Sequence, residues 1–182
     1  MTSLLKITGA NQGRERNAHD FYPTPSYAVQ SLLDQEKFTD VWECACGDGA
    51  ICKVLDDNNI KNIGTDLIDY NCGYQSNIDF LLETKLLAPE IITNPPFSLA
   101  LEFAEKAMSL GVKKLALLVR LQFLEGVKRG ELFKKYPPKN IYVFSKRLSF
   151  NVTGEFQSGG VMAFAWFIFE DDHNTSTTVR WI

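Results

Sequence analysis

The chain has 182 residues, 45% of them apolar and 23% charged, with a net charge of −3. That supports one soluble domain with a proper core, and no run approaches the roughly 20 apolar residues of a membrane span. The N-terminus lacks a continuous apolar stretch followed by a cleavage site, so a cytoplasmic location is the expectation.

Charge is unevenly spread. Residues 1–112 carry 8 Lys or Arg against 16 Asp or Glu, whereas residues 113–147 carry 10 against 2. A basic face on an acidic protein suits a polyanion touched on one side, and equally suits a solvated lysine-rich helix. The four cysteines (Cys44, Cys46, Cys52, Cys72) form no CxxC pair. With only two histidines available, they read as reduced thiols, and no metal site is expected.

Residues 1–20 are polar and aperiodic and read as a flexible arm, with residues 21–182 as one domain. The prolines of Tyr22-Pro23-Thr24-Pro25 force a stiff, extended segment, and Thr24 is placed to cap a helix over 25–36. A strand over 41–45 leads into Cys46-Gly47-Asp48-Gly49 and a helix over 50–58. Glu43, Ala45, Cys46, Gly47 and Gly49 therefore put an acid and small residues where backbone approaches a ligand at a helix N-terminus.

The next strand, 62–67, ends at Asp66 and Leu67, with Asp66 19 residues past Gly47. A carboxylate there suits ribose hydroxyls and disfavours a phosphate, so a nucleoside-type cofactor fits better than a dinucleotide. The stretch 77–81 reads as a third short strand or a turn, with Asp79 and Phe80 available to an adenine ring.

A strand over 90–94 delivers Asn94-Pro95-Pro96-Phe97. Successive prolines make a rigid corner at the strand end. That corner suits methylation of a planar amine. An exocyclic amine is a poor nucleophile, and two fixed acceptors, the Asn94 side-chain oxygen and the Pro95 carbonyl, would stabilise positive charge developing on it. Phe97 could stack on the ring that bears the amine.

A core-facing helix over 98–110 follows, then a buried strand over 114–120 whose exit holds Arg120, Gln122 and Phe123. A basic helix over 126–136 precedes a strand over 140–145, then Arg147 and Phe150. A loop over 147–161 separates that strand from one over 162–169. Two strands joined without a helix should be antiparallel neighbours. Residues 179–182 read as an edge strand or a tail packing back.

The ordered set FYPTP (21–25), ECACGDG (43–49), Asp66, NPPF (94–97) and the Arg147–Phe150 stretch before the last long strand resembles the class I S-adenosylmethionine (SAM) methyltransferases. It is most similar to the phage-type DNA N6-adenine methyltransferases, over roughly residues 20–170. The resemblance implies a single Rossmann-like α/β domain with helices on both faces and a mostly parallel seven-stranded sheet whose last strand is antiparallel. It implies SAM bound by Glu43 to Gly49, Asp66, Leu67, Asp79 and Phe80, with Tyr22 and Thr24 closing over it. Asn94, Pro95, Pro96 and Phe97 would hold the target adenine, and Arg120, Gln122, Phe123, Arg147 and Phe150 would lie beside it.

No insertion follows NPPF to serve as a separate recognition domain. The expectation is therefore weak sequence specificity, a homodimer or a partner protein. DNA is the favoured substrate. RNA adenine, protein glutamine and a non-catalytic binding role are the alternatives.

Overall fold

The computed structural model describes residues 22–150, 162–173 and 175–182; the arm at 1–20, Phe21 and most of the loop at 147–161 lie outside the described residues. Strand β4 (Lys114–Arg120) sets the architecture, because every residue but its first and last is buried. Leu115, Leu117 and Val119 join one apolar cluster, and Ala116 and Leu118 join the other. A strand alternates its side chains between faces, so a continuous apolar run demands cover on both sides.

Helices α1 (Ser26–Leu33) and α2 (Ala50–Asp57) cover one face. Helices α3 (Ala100–Ser109) and α4 (Val127–Lys135) cover the other. Beside β4 run β1 (Asp40–Glu43), β2 (Lys61–Gly64), β3 (Glu90–Thr93), β5 (Asn140–Val143), β6 (Phe164–Glu170) and β7 (Thr178–Trp181). The sheet has seven strands in the order β2-β1-β3-β4-β6-β5-β7.

Strand β6 is the antiparallel member, paired with both β4 and β5. The hairpin expected between the strands near 140 and 162 is therefore present. Strand β7, read as an edge strand or a tail, is an edge strand lying parallel to β5. Trp166 on β6 is fully buried, and its indole N–H donates to the Ala28 carbonyl at 2.9 Å, tying α1 to the sheet.

No strand forms at 77–81. Phe80–Leu82 is a 3-10 turn, which Asp79 caps by accepting from the Leu81 N–H at 2.9 Å. Asn77, at the head of the stretch, has a positive φ of 60° that takes it out of the extended region, and the turn alternative holds. Just ahead of the stretch Gln75 makes an isolated bridge to Thr65, one residue past β2, and the Ile78 N–H donates to the Asp66 carbonyl at 3.0 Å.

The amino edge of the sheet is held by charge. Lys114 donates to Glu36 at 2.9 Å and pairs with Glu170 at 3.2 Å, and Lys139 pairs with Glu170 at 2.6 Å. Burial alone would raise the Glu36 pKa, but hydrogen bonds from Lys114 and Tyr142 outweigh it and hold the carboxyl below its ordinary value. The carboxyl ends of the parallel strands lie at the opposite edge and carry the site.

Candidate active site

Strands β1, β2 and β3 end in Glu43, in Gly64 just before Asp66, and in Thr93 just before Asn94. Their ends open on a cavity of about 520 Å³. It is lined by Tyr22, Thr24, Glu43, Ala45, Cys46, Gly47, Asp66, Leu67, Asp79, Phe80, Asn94 and Pro96, all of them expected from the sequence. Open α/β sheets bind ligands at this edge.

Each residue is held by the turn that carries it. The Gly47 N–H donates to Asp66 Oδ2 at 2.8 Å, and the Ile68 N–H donates to Asp66 Oδ1 at 2.8 Å. Asp66 thus pins the glycine turn to the end of β2, and each oxygen keeps a second lone pair for a ligand hydroxyl. Asp48 Oδ1 accepts from the Ala50 N–H at 3.1 Å at the start of α2.

Glu43 is completely buried. Its Oε1 accepts from the Ala45 N–H at 3.0 Å, and its Oε2 has no partner. Burial pushes its pKa up to about 8, with nearby Asp66 adding to the rise. The Thr93 hydroxyl is close enough to offset part of it, yet it forms no hydrogen bond of normal geometry.

Asn94 is the centre of the arrangement. Its Nδ2 donates to the Thr24 hydroxyl at 3.0 Å and to the Tyr22 carbonyl at 3.3 Å. A carbonyl only accepts, so the amide cannot be turned round without setting oxygen against oxygen. Asn94 Oδ1 is therefore fixed as an acceptor, and it is buried without a partner. Thr24 does not cap α1 as expected. Pro25 occupies that position with no side-chain cap, and the Thr24 hydroxyl serves Asn94 instead.

Further expectations are met or altered by packing. Gly49 does not line the cavity. It sits at φ +79, and a Cβ there would come within 2.0 Å of the Tyr74 ring, which also lies against Gly64. Gly49 is thus small for Tyr74, not for a ligand. Gly49→Ala is expected to cost about 2–4 kcal/mol, combining left-handed strain with overpacking, and thermal unfolding of the variant checks it.

Phe123 is buried and packed edge-on to Phe133 and Phe167 at 5.7 and 5.5 Å, and it also borders a second cavity with Arg120 and Gln122. Phe97, expected to stack on a base, already stacks on Tyr22 at 5.8 Å, with the Arg120 guanidinium 4.6 Å from its ring centre. Phe150 closes the same aromatic cluster at 6.3 Å from Phe97 and 4.7 Å from Phe164. Arg147 is exposed and lines neither this cavity nor the second one.

That second cavity, about 400 Å³, lies on the Phe97 side of the corner and gathers Arg120, Gln122, Phe123 and Arg129. Sequence reasoning missed Tyr70, Ile68, Leu99 and Phe103 in the first cavity, while Ile78, expected with Phe80 beside an adenine ring, does line it. Ile68 and Tyr70 follow Asp66 at alternate positions, a usable signal; Leu99 and Phe103 read only as the core face of a helix.

Strand order and cavity together make a Rossmann-like α/β fold, with the cavity at the carboxyl edge of the parallel strands and an Asn-Pro-Pro-Phe corner after β3. Among solved structures, the chain is similar to a protein described as the modification subunit of a type I restriction enzyme from Vibrio vulnificus (TM-score 0.61, 16% identity, covering 89% of this chain and 47% of that one). It is also similar to a protein described as an RNA methyltransferase from Pyrococcus horikoshii (TM-score 0.61, 14% identity, 84% and 87% covered). A third is the tRNA (uracil-54, C5)-methyltransferase of Pyrococcus abyssi bound to S-adenosyl-L-homocysteine (TM-score 0.57, 10% identity, 79% and 37% covered). The chain spans about half the length of the modification subunit. No known protein-family signature and no curated protein matches the sequence.

Proposed function

We propose that the protein transfers a methyl group from SAM to the N6 amine of adenine in DNA. The observation that carries this reading is Asn94 Oδ1, a buried acceptor with no partner, locked in direction by Tyr22 and Thr24 in the lining of the cavity. An unmade hydrogen bond at a buried acceptor costs roughly 1–3 kcal/mol. A donor arriving from the substrate would recover it.

The first cavity fits SAM. Asp66 offers lone pairs to ribose hydroxyls, Asp79 keeps one oxygen clear of the Leu81 N–H, and Ile68, Ile78 and Phe80 supply an apolar slot for a base. Glu43 offers an unpaired oxygen to a cation. SAM supplies the electrophilic methyl of its sulfonium.

The chain's own residues do the rest. On this reading Asn94 Oδ1 accepts one amine N–H as positive charge develops on the nitrogen, and the Pro95 carbonyl accepts the other. The surplus proton leaves to solvent. The rigid corner holds the amine in line, a saving in entropy that accounts for much of such catalysis. A duplex base would have to be flipped out, at a cost of a few kcal/mol.

DNA is supported by the sequence resemblance and by the likeness to a restriction-enzyme modification subunit. RNA is supported by the likeness to RNA and tRNA methyltransferases. Nucleoside mass spectrometry decides the matter, after incubation with SAM and duplex DNA, single-stranded DNA or RNA separately. N6-methyladenine in DNA is expected. Its appearance in RNA alone overturns the substrate and keeps the reaction; no product in any polymer overturns the reaction.

A further inference from the structure

The second cavity carries chemistry that methyl transfer alone does not require. Arg120 Nε is buried and has no partner. Arg129 donates to the Gln122 carbonyl at 2.8 Å, and its guanidinium lies 5.6 Å from the Phe123 ring centre. Neither arginine is in an ion pair among the described residues. Glu125, which also borders the cavity, is exposed.

Gly126, another lining residue, begins α4 without a side-chain cap, and the first turn of that helix holds no acidic residue. Its free N–H groups and dipole add to the positive field. Two guanidiniums, one with an unmade buried bond, together with an uncapped helix start, match the oxygens of a phosphate.

We propose that this cavity binds a backbone phosphate of the substrate strand, flanking the nucleotide whose base enters the NPPF corner. The proposal rests on the nucleic-acid reading above and deepens it. Phe97, the last residue of the corner, lines this cavity, while Asn94 and Pro96 of the same corner line the first, so the corner stands between the two. A nucleotide within a strand offers an amine and a phosphate together; a protein glutamine side chain offers no phosphate.

The test is fluorescence anisotropy of a labelled adenine-containing oligonucleotide with S-adenosyl-L-homocysteine present, across a salt series. Arg120→Gln is expected to weaken binding about ten-fold and to reduce the salt slope by about one. Arg129→Gln, which leaves the Phe97 contact in place, is expected to shift both in the same direction. Replacing backbone phosphates one at a time by neutral methylphosphonates should weaken wild-type binding at one position, and Arg120→Gln should be indifferent there.

Wild-type protein that binds no oligonucleotide overturns both this proposal and the reading beneath it. Wild-type protein that binds, with variants of unchanged affinity and slope, overturns the phosphate site alone. Inorganic phosphate that raises the melting temperature through Arg120, while oligonucleotide affinity ignores Arg120→Gln, assigns the cavity to a small phosphate ligand and overturns the strand assignment.

Discussion

Asn94→Ala is expected to lower single-turnover methyl transfer by a factor of about 10² to 10³, the usual cost of removing one preorganised group that stabilises developing charge. Cofactor affinity should stay within a few-fold, because the acids that line the first cavity, Glu43, Asp66 and Asp79, are untouched. The substitution also removes the two hydrogen bonds that hold Tyr22 and Thr24.

Thr24→Val separates the two roles. It removes only the hydroxyl that orients the amide and leaves the acceptor in place. A smaller loss in rate is expected there, with Thr24→Ser restoring it. Calorimetric cofactor titration beside the rate measurement reads both. An Asn94→Ala protein that turns over at the wild-type rate sinks the proposed mechanism. One that loses cofactor affinity in step with rate makes Asn94 a strut of the cavity instead.

What could be read from the sequence divides along a physical line. Strands β1, β3, β4 and β6 were legible because their apolar runs have no other use than burial on both faces. The Gly47 turn, Asp66 and the Asn94 corner were legible because each lies within a few residues of the strand that presents it.

What was not legible depends on contacts distant in sequence. The role of Gly49 is fixed by Tyr74, 25 residues on, whose ring needs the space of two glycines. The packing of Phe123 depends on Phe133 and Phe167, 10 and 44 residues on, which bury it while it still borders the second cavity. The hydroxyl of Thr24 was read locally as a cap, when its partner is 70 residues away. Asn77 did carry a local signal against a strand at 77–81, since asparagine is among the residues that tolerate positive φ.

Glu43→Gln is expected to make the free protein more stable near pH 8 and to flatten its dependence on pH. The wild-type carboxyl is completely buried, and its pKa is raised from 4.5 to about 8 by burial, with Asp66 adding to the rise. Between those values the unfolded chain is ionised while the folded protein still holds the proton. The folded state then binds more protons, so stability falls as pH rises. Below about 4.5 and above about 8 this group contributes no slope.

The full difference is on the order of 5 kcal/mol as an upper bound. Glu36, whose pKa is lowered, contributes on the acid side instead: its stabilisation is present above 4.5 and is lost as pH falls through its folded value. Chemical denaturation at several pH values checks this directly. A wild-type profile that is flat from pH 5 to 8 would mean that Glu43 is already ionised and solvated.

The proposed cofactor reverses the balance. Its methionine end carries an ammonium and a sulfonium, and a cation beside the unpaired Oε2 favours the ionised carboxylate. Binding near pH 7 should therefore release close to one proton, measurable by calorimetry in buffers of different ionisation heat. Glu43→Gln should bind more weakly and release none. The stability given up at Glu43 in the free protein is then the strain that a cationic ligand relieves.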